Sequence, residues 1–202
     1  FRDLALLNRE AGNRAEVSYW TKLADRLASD FRRQFWVHDH FAEYIHPTKG
    51  VVDIHGLSDT NWAAIGFGIA TRHQAATLWP TLTREPAFWP GGMPTMTVTK
   101  PFSYEAWEHE NVPFEANSVT NDVAAMGRTW YLEALACKRM HDSARLLQSA
   151  QQVCKAAENG FWRERYHPKP QGGIQADGTR KYCEYPSVLV RVVLENRSVF
   201  LK

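Results

Sequence analysis

The run GFWRERYHP, residues 160–168, holds the densest group of side chains that are able to do chemistry. Its central carboxylate, Glu164, stands between two arginines and close to two aromatic residues. Two guanidinium groups beside a carboxylate favour its ionised form, which suits a general base that activates water. The aromatic neighbours Trp162 and Tyr166 suit the apolar face of a sugar ring. The alternative interpretation is a structural Arg/Glu network with two packed aromatic residues.

Two further stretches carry carboxylates in an aromatic setting. Glu184 in KYCEYP follows Glu164 by twenty positions and lies between two tyrosines. It suits a partner of Glu164, a group that hydrogen-bonds a substrate, or an acid that merely precedes a helix. Glu110 belongs to the run WEHENVPFEAN, which is consistent either with substrate contact or with an ordinary solvated loop.

Imidazole and carboxylate groups cluster in the first third of the chain, and such a cluster could bind a metal ion. His38, Asp39 and His40 are followed by Asp53 and His55, and both side-chain types are standard metal ligands. Their spacing matches no metal motif, so structural roles are favoured and no metal site is predicted. The sequence also lacks a GxSxG elbow, a P-loop and a dinucleotide fingerprint, and no cofactor is predicted.

Composition narrows the class of protein. With 44% hydrophobic and 12% aromatic content, the 202 residues are able to bury a sizeable core. The 24 basic residues nearly balance the 22 acidic ones and are spread along the chain, so a nucleic-acid partner is not expected. No apolar stretch approaches the roughly 20 residues of a membrane span. We therefore expect a globular protein outside the membrane.

Helical periodicity predicts the elements that must position these residues. Capping residues mark several helix starts, and Asn13 with Glu16 forms a capping-box pattern. The predicted helices run from Asn13 to about Trp36, from Ser58 or Asp59 through Ala70, from Thr71 to about Leu82, from Thr120 or Asn121 to Cys137, from Asp142 to just before Gly160, and from Pro186 to Leu194. Long ordered loops are expected at 84–118 and 161–183. The fourth and fifth of these helices should form an antiparallel hairpin, because few residues join them.

The order of these elements resembles the C-terminal half of the six-hairpin glycosidases, which include trehalases, oligosaccharide glucosidases and rhamnosidases. The resemblance covers most of residues 14–194. NWAAIGFGIA looks like an inner helix of that group, and FWPGGMPT is similar to the Trp/Gly loop before the next one. NDVAAMGRTWYLEALA with SARLLQSAQQVCKAAE looks like the penultimate hairpin. GFWRERYHP resembles the glutamate loop, and EYPSVLVRVVL resembles the closing helix.

The resemblance implies an all-α fold, namely helical hairpins of an incomplete (α/α)6 toroid with long aromatic-rich loops. The chain would form a single domain, 1–202, that is the C-terminal part of a larger barrel. Twelve helices of about 12 residues exceed the length of this chain. The expected partners are therefore a carbohydrate substrate and the remainder of the barrel or another chain.

The implied function is inverting hydrolysis of a glycosidic bond in an oligosaccharide or glycoside. Glu164 matches the catalytic base of the family. Inversion needs a second carboxyl group roughly 6.5–9.5 Å away as the acid. The resemblance implies that this acid lies earlier in the barrel, upstream of the part that matches this chain, and Asp59, at the start of its helix, is the best candidate within the chain. The predicted substrate-binding residues are Trp89, Trp107, Glu110, Trp162, Arg163, Arg165, Tyr166 and Glu184. The alternatives are a non-catalytic glycan-binding or structural helical module, or a toroid epimerase or lyase.

Overall fold

The computed structural model describes residues 1–109, 123–158 and 162–201. Within these ranges the chain forms eight α-helices and six β-strands. The helices are α1 Arg2–Glu10, α2 Arg14–Phe35, α3 Asp59–Gly66, α4 Arg72–Arg84, α5 Gly127–Met140, α6 Ser143–Glu158, α7 Glu184–Glu195 and α8 Arg197–Phe200. The strands are β1 Trp36–Val37, β2 His40–Phe41, β3 Tyr44–His46, β4 Gly50–Val52, β5 Arg163–Pro168 and β6 Ile174–Arg180.

The all-α prediction is wrong. The described residues are 58% helical, and 15% of them lie in strands. The strands form three separate antiparallel hairpins, which pair β1 with β2, β3 with β4, and β5 with β6. The first four strands are only two or three residues long, so they carry no alternating apolar pattern that a sequence analysis could detect.

The third hairpin occupies the stretch predicted to be a loop at 161–183. Its strands are joined by a turn that contains Gly172 and Gly173, both with positive φ, a conformation that glycine adopts without strain. The turn is closed by a hydrogen bond from the backbone N–H of Lys169 to the carbonyl oxygen of Gly173, 3.1 Å. The catalytic loop expected from the sequence is therefore a β-hairpin.

Most of the predicted helices are confirmed. The helix expected from Asn13 to about Trp36 is α2, although the Asn13 side chain makes no capping hydrogen bond. Thr71 and Gln74 form a reciprocal capping box at the start of α4. The Asp142 carboxylate accepts from the backbone N–H of Arg145 at 2.9 Å, as expected for the residue that caps α6.

The boundaries of two predicted helices are wrong. Helix α3 ends at Gly66 instead of continuing to Ala70, because Gly68 adopts a left-handed conformation that turns the chain into α4. Helix α5 begins at Gly127, and the four residues before it are not helical. The predicted start at 120–121 and the predicted stop at Gly160 lie outside the described residues.

Three helices, α3, α5 and α7, run parallel through the middle of the molecule. At one end Gly127 lies against the backbone of Glu184 and Tyr185, so α5 and α7 begin together. At the other end the Lys138 ammonium donates to the carbonyl oxygen of Glu195, 3.0 Å away. Gly66 near the end of α3 packs on the second half of α5. These helices bury the large aromatic residues of the core, Trp62, Trp130 and Tyr185.

Helix α6, which follows α5 along the chain, runs in the opposite direction to it. The α5–α6 hairpin predicted from the sequence is confirmed, because Trp130 donates its indole N–H to the Ser149 hydroxyl at 3.0 Å and Glu133 pairs with Arg145. No helix in the described residues is both long enough and apolar enough to cross a membrane.

Extended segments cross the starting ends of the three parallel helices. Ser58 pairs with Val98, Met96 with Ala125, and Ala125 with Tyr166 of β5. The last pair exchanges two backbone hydrogen bonds of 3.0 and 3.1 Å. This layer brings the β5–β6 hairpin to the end of the molecule where α3, α5 and α7 begin. It also explains why 123–126 is extended, since its backbone groups pair with neighbouring segments instead of with one another.

Candidate active site

A cavity of about 450 Å³ lies at the starting ends of α3, α5 and α7. Its volume is within the usual range for small-molecule sites. The lining residues are Asp59, Arg128, Thr129, Tyr131, Leu132, Glu184, Ser187, Val188 and Arg191. Two of the carboxylates singled out from the sequence, Asp59 and Glu184, thus face one cavity.

Asp59 is the first residue of α3 and is half-buried. Its backbone N–H donates to the carbonyl oxygen of Thr97 at 2.7 Å, which ties the start of α3 to the extended layer. Burial raises the pKa of Asp59 to about 6, and the neighbouring Glu43 carboxylate adds to the rise. The backbone N–H of Thr60 and the Arg128 guanidinium act in the opposite direction. The Asp59 carboxyl group is therefore able to hold a proton close to neutral pH.

Glu184 is held differently, although it faces the same cavity. It is the first residue of α7, and its carboxylate accepts from the backbone N–H of Arg128 at 2.6 Å. The Arg128 guanidinium lies 3.6 Å from its other oxygen. These contacts tie the start of α7 to the first turn of α5. The cavity therefore combines a carboxyl group that favours its proton with an ion-paired carboxylate.

A buried network lies beside Asp59 and was not found from the sequence. The His55 ring is fully buried, and its Nδ1 contacts the Glu43 carboxylate while its Nε2 lies 3.2 Å from Glu108. Tyr104 donates to Glu43 at 2.7 Å and stacks on His55 with 3.8 Å between the ring centroids. The Tyr44 hydroxyl donates to Glu108. Burial lowers the pKa of His55, but its two carboxylate partners outweigh that effect and raise it above the ordinary value.

No local sequence pattern marks this network. Its members are spread over 66 positions from Glu43 to Glu108, and they form no spaced motif. His55 was considered only as a metal ligand. In the part of the chain that the structure describes, no group of three or more His, Cys, Asp or Glu side chains is arranged to hold a metal ion.

Glu164 lies on β5, next to a bulge where the pairing register with β6 shifts. Its carboxylate forms an ion pair with the Arg165 guanidinium at 2.7 Å and accepts from the backbone N–H of Thr179 at 3.3 Å. Its side chain is 19% exposed. Gly178 allows this position, because a β-carbon there would lie 2.6 Å from a Glu164 oxygen. The buried Nε of Arg165 makes no hydrogen bond with the described residues.

The other predicted residues of this hairpin face elsewhere. Arg163 and Tyr166 line a second cavity, of about 420 Å³, together with Lys155 and Gly91 among others. The Tyr166 hydroxyl accepts from the backbone N–H of Arg163, and its ring contacts Tyr185 at 5.8 Å between centroids. The Trp162 indole donates to the carbonyl oxygen of Val153 at 2.9 Å.

The other predicted residues are not among the described residues that line either cavity, namely Trp89, Trp107, Trp162, Glu164 and Arg165. Trp89 donates its indole N–H to the buried Glu133 carboxylate at 3.0 Å, beneath the Arg145 guanidinium. Trp107 lies in a short 3-10 turn, where its indole N–H donates to Glu105. Glu110 lies outside the described residues.

Comparison with known proteins adds no family to these observations. No protein-family model matches the chain, and no curated protein matches it significantly.

Proposed function

We propose that this chain is a glycoside hydrolase related to the six-hairpin glycosidases, which cleaves a glycosidic bond of an oligosaccharide or glycoside with inversion. Asp59 is the proposed general acid and Glu164 the proposed general base. The observation that carries the proposal is the Asp59 carboxyl group, whose pKa is raised to about 6 and which faces a cavity of about 450 Å³ opposite an ion-paired carboxylate.

The acid role follows from proton affinity. Breaking a glycosidic bond requires a proton for the leaving oxygen, and the donor must keep that proton until the bond breaks. An ordinary surface aspartate, with a pKa near 4, is largely ionised at pH 6. Asp59 keeps a substantial protonated fraction there because burial and Glu43 disfavour its negative charge.

The base role is proposed from the resemblance of GFWRERYHP to the glutamate loop of the family, and Glu164 is not among the described residues that line the Asp59 cavity. The Arg165 guanidinium and the Thr179 N–H hold the Glu164 carboxylate in place, and a carboxylate is able to take a proton from water. The hairpin that carries Glu164 joins the segment leading into α5 through the Ala125–Tyr166 pair. Glu184 and Arg128, both in the cavity, are the proposed hydrogen-bonding groups for sugar hydroxyls.

Exposed apolar side chains support the partner surface that the proposal includes. Leu6 and Leu7 on α1 are 51% and 64% exposed, and Val190 and Leu194 on α7 are 59% and 53% exposed. Apolar groups on the outer sides of helices favour packing against further helices. We propose that the helices that pack on these side chains belong to the remainder of a larger protein or to another chain.

The decisive test is product analysis on a panel of aryl glycosides and disaccharides. We expect a released sugar whose first-formed anomer, followed by NMR, is inverted relative to the substrate. Glu164→Gln should lower turnover by about 10²–10⁴-fold with little change in sugar binding, since only the base is lost. Glu158→Gln, at an exposed position on α6, is the matched control and should leave turnover unchanged.

Other outcomes would contradict the proposal in distinct ways. An unsaturated product would indicate elimination, and an epimerised sugar would indicate isomerisation. Binding without any product would indicate a glycan-binding module. Full turnover in Glu164→Gln would remove Glu164 from the mechanism.

A further inference from the structure

Glu43 lies immediately before β3, and two backbone contacts hold it near the start of α3. Its N–H donates to the carbonyl oxygen of Val52 at 3.2 Å, and its own carbonyl oxygen accepts from the Thr60 hydroxyl at 3.3 Å. We propose that Glu43 is a positioning residue that keeps the proton on Asp59, and that His55 and Glu108 hold the Glu43 carboxylate in place. The inference depends on the proposed function for its catalytic meaning.

The Glu43 carboxylate is fixed on both oxygens. One accepts from the Tyr104 hydroxyl at 2.7 Å, and the other contacts Nδ1 of the buried His55 ring. His55 is fixed in turn by Glu108, whose carboxylate also accepts from the backbone N–H of Glu105 at 2.7 Å. A side chain held by this many partners keeps one conformation, so its charge stays at a constant place relative to Asp59.

The charges around Asp59 favour retention of its proton. Glu43 lies next to the start of α3, since its carbonyl oxygen accepts from the hydroxyl of Thr60, the neighbour of Asp59, at 3.3 Å, and Arg128 of α5 lines the same cavity as Asp59. The Arg128 guanidinium also lies 3.6 Å from the Glu184 carboxylate of α7, so its positive charge acts on two carboxylates. The other titratable groups that line this cavity are Tyr131 of α5 and Arg191 of α7. Glu43 adds a negative charge at a position where the Asp59 carboxylate is already poorly solvated.

His55 does not cancel this effect. A protonated His55 ring carries one positive charge, and it lies between two carboxylates, those of Glu43 and Glu108. The three side chains therefore keep a net negative charge beside the start of α3. A like charge nearby disfavours ionisation of a carboxyl group, and burial weakens the screening between them.

The consequence for a hydrolase is a wider working range. The acid must be protonated while the base is ionised, so a higher pKa of the acid moves the alkaline limit of activity upward. Removing the charge of Glu43 should move that limit to lower pH. A residue that only supported the fold would lower activity at every pH and would not move the limit.

The experiment is an NMR titration of the Asp59 carboxyl carbon in ¹³C-labelled full-length protein, with the signal assigned by its loss in Asp59→Asn. In Glu43→Gln we expect the titration midpoint to fall by about 0.5–1 pH unit. The alkaline limb of kcat/KM should fall by the same amount. Glu43→Asp should restore most of both values. Glu85→Gln, which removes a carboxylate that caps a turn after α4, is the matched control and should change neither.

The result that overturns the inference is an Asp59 midpoint that does not move in Glu43→Gln, whatever the activity. If Glu43→Gln does not fold, Glu108→Gln loosens the same network and should give a smaller fall of the midpoint. Failure of the proposed function has a different signature, because the parent protein would then hydrolyse no glycoside, or Asp59→Asn would keep full turnover, while the titration midpoint of Asp59 still depended on Glu43.

Discussion

Two buried clusters of charged side chains differ in how far nearby cationic groups compensate their carboxylates. In the core, the fully buried Glu133 is paired with the Arg145 guanidinium at 2.7 Å and accepts from Trp89 and Thr95. At the starting ends of the parallel helices, three carboxyl groups, those of Glu43, Glu108 and Asp59, lie near the His55 imidazole and the Arg128 guanidinium.

The difference separates two uses of a buried carboxylate. A compensated charge such as Glu133 holds elements together, and its guanidinium partner also covers the rings of Trp62 and Trp89 at 5.2 and 4.6 Å. An uncompensated cluster instead raises the proton affinity of one of its members, which is a property that acid catalysis needs. The following experiments test this contrast in order of decreasing effect.

Arg145→Met should destabilise the protein by about 3–5 kcal/mol, because it leaves the Glu133 charge buried without its partner. Urea unfolding followed by circular dichroism measures the change. A loss below about 1 kcal/mol would show that the core cluster does not depend on its ion pair.

The double variant Glu133→Gln/Arg145→Met should recover part of that loss. Removing both charges eliminates the uncompensated carboxylate, and we expect a coupling energy of about 1–3 kcal/mol in a double-mutant cycle. Strictly additive single effects would contradict the interpretation of the two residues as a pair.

Asp59→Asn should change how stability depends on pH. Because the pKa of Asp59 is raised in the folded state to about 6, its contribution to stability is present below the unfolded pKa and is lost as the pH rises through about 6. The free energy of unfolding of the parent protein, measured relative to that of Asp59→Asn, should therefore fall by about 1–2 kcal/mol between about pH 4 and pH 7, after allowance for solvent screening. Unfolding curves at the two pH values measure this difference, and a constant gap between the variants would contradict it.

Arg191→Met should cause the smallest loss of stability among these variants. Arg191 is an exposed partner of Glu195 four positions later on α7, and such pairs contribute about 0.3–0.5 kcal/mol. A loss as large as that of Arg145→Met would remove the distinction between buried and exposed charge on which the comparison depends.

Helices were the most predictable part of the fold. Apolar spacing and capping residues located α2, α4, α6 and α7 because the signals are local. The short hairpins were not predictable, since strands of two or three residues carry no period. The start of α5 was misplaced because 123–126 has a helical apolar pattern but pairs with distant segments instead.

The candidate site was only partly predictable for a related reason. Asp59 and Glu184 were selected from local context, at the starts of helices, and the structure places both on one cavity. Glu43 and Tyr104 gave no signal because their contacts join segments far apart in the sequence. Trp89 was selected as a substrate-binding aromatic residue, whereas its indole N–H is bound to Glu133 in the core, which composition alone does not indicate.

The most direct test of the central claim compares the hydrolysis of two aryl glycosides by Asp59→Asn. A nitrophenol with a very acidic hydroxyl leaves without help from a proton donor, whereas an unactivated phenol needs one. We predict a loss of about 10²–10⁴-fold on the unactivated glycoside and less than about 10-fold on the activated one. An equal loss on both substrates, or no loss on either, would contradict the assignment of Asp59 as the general acid.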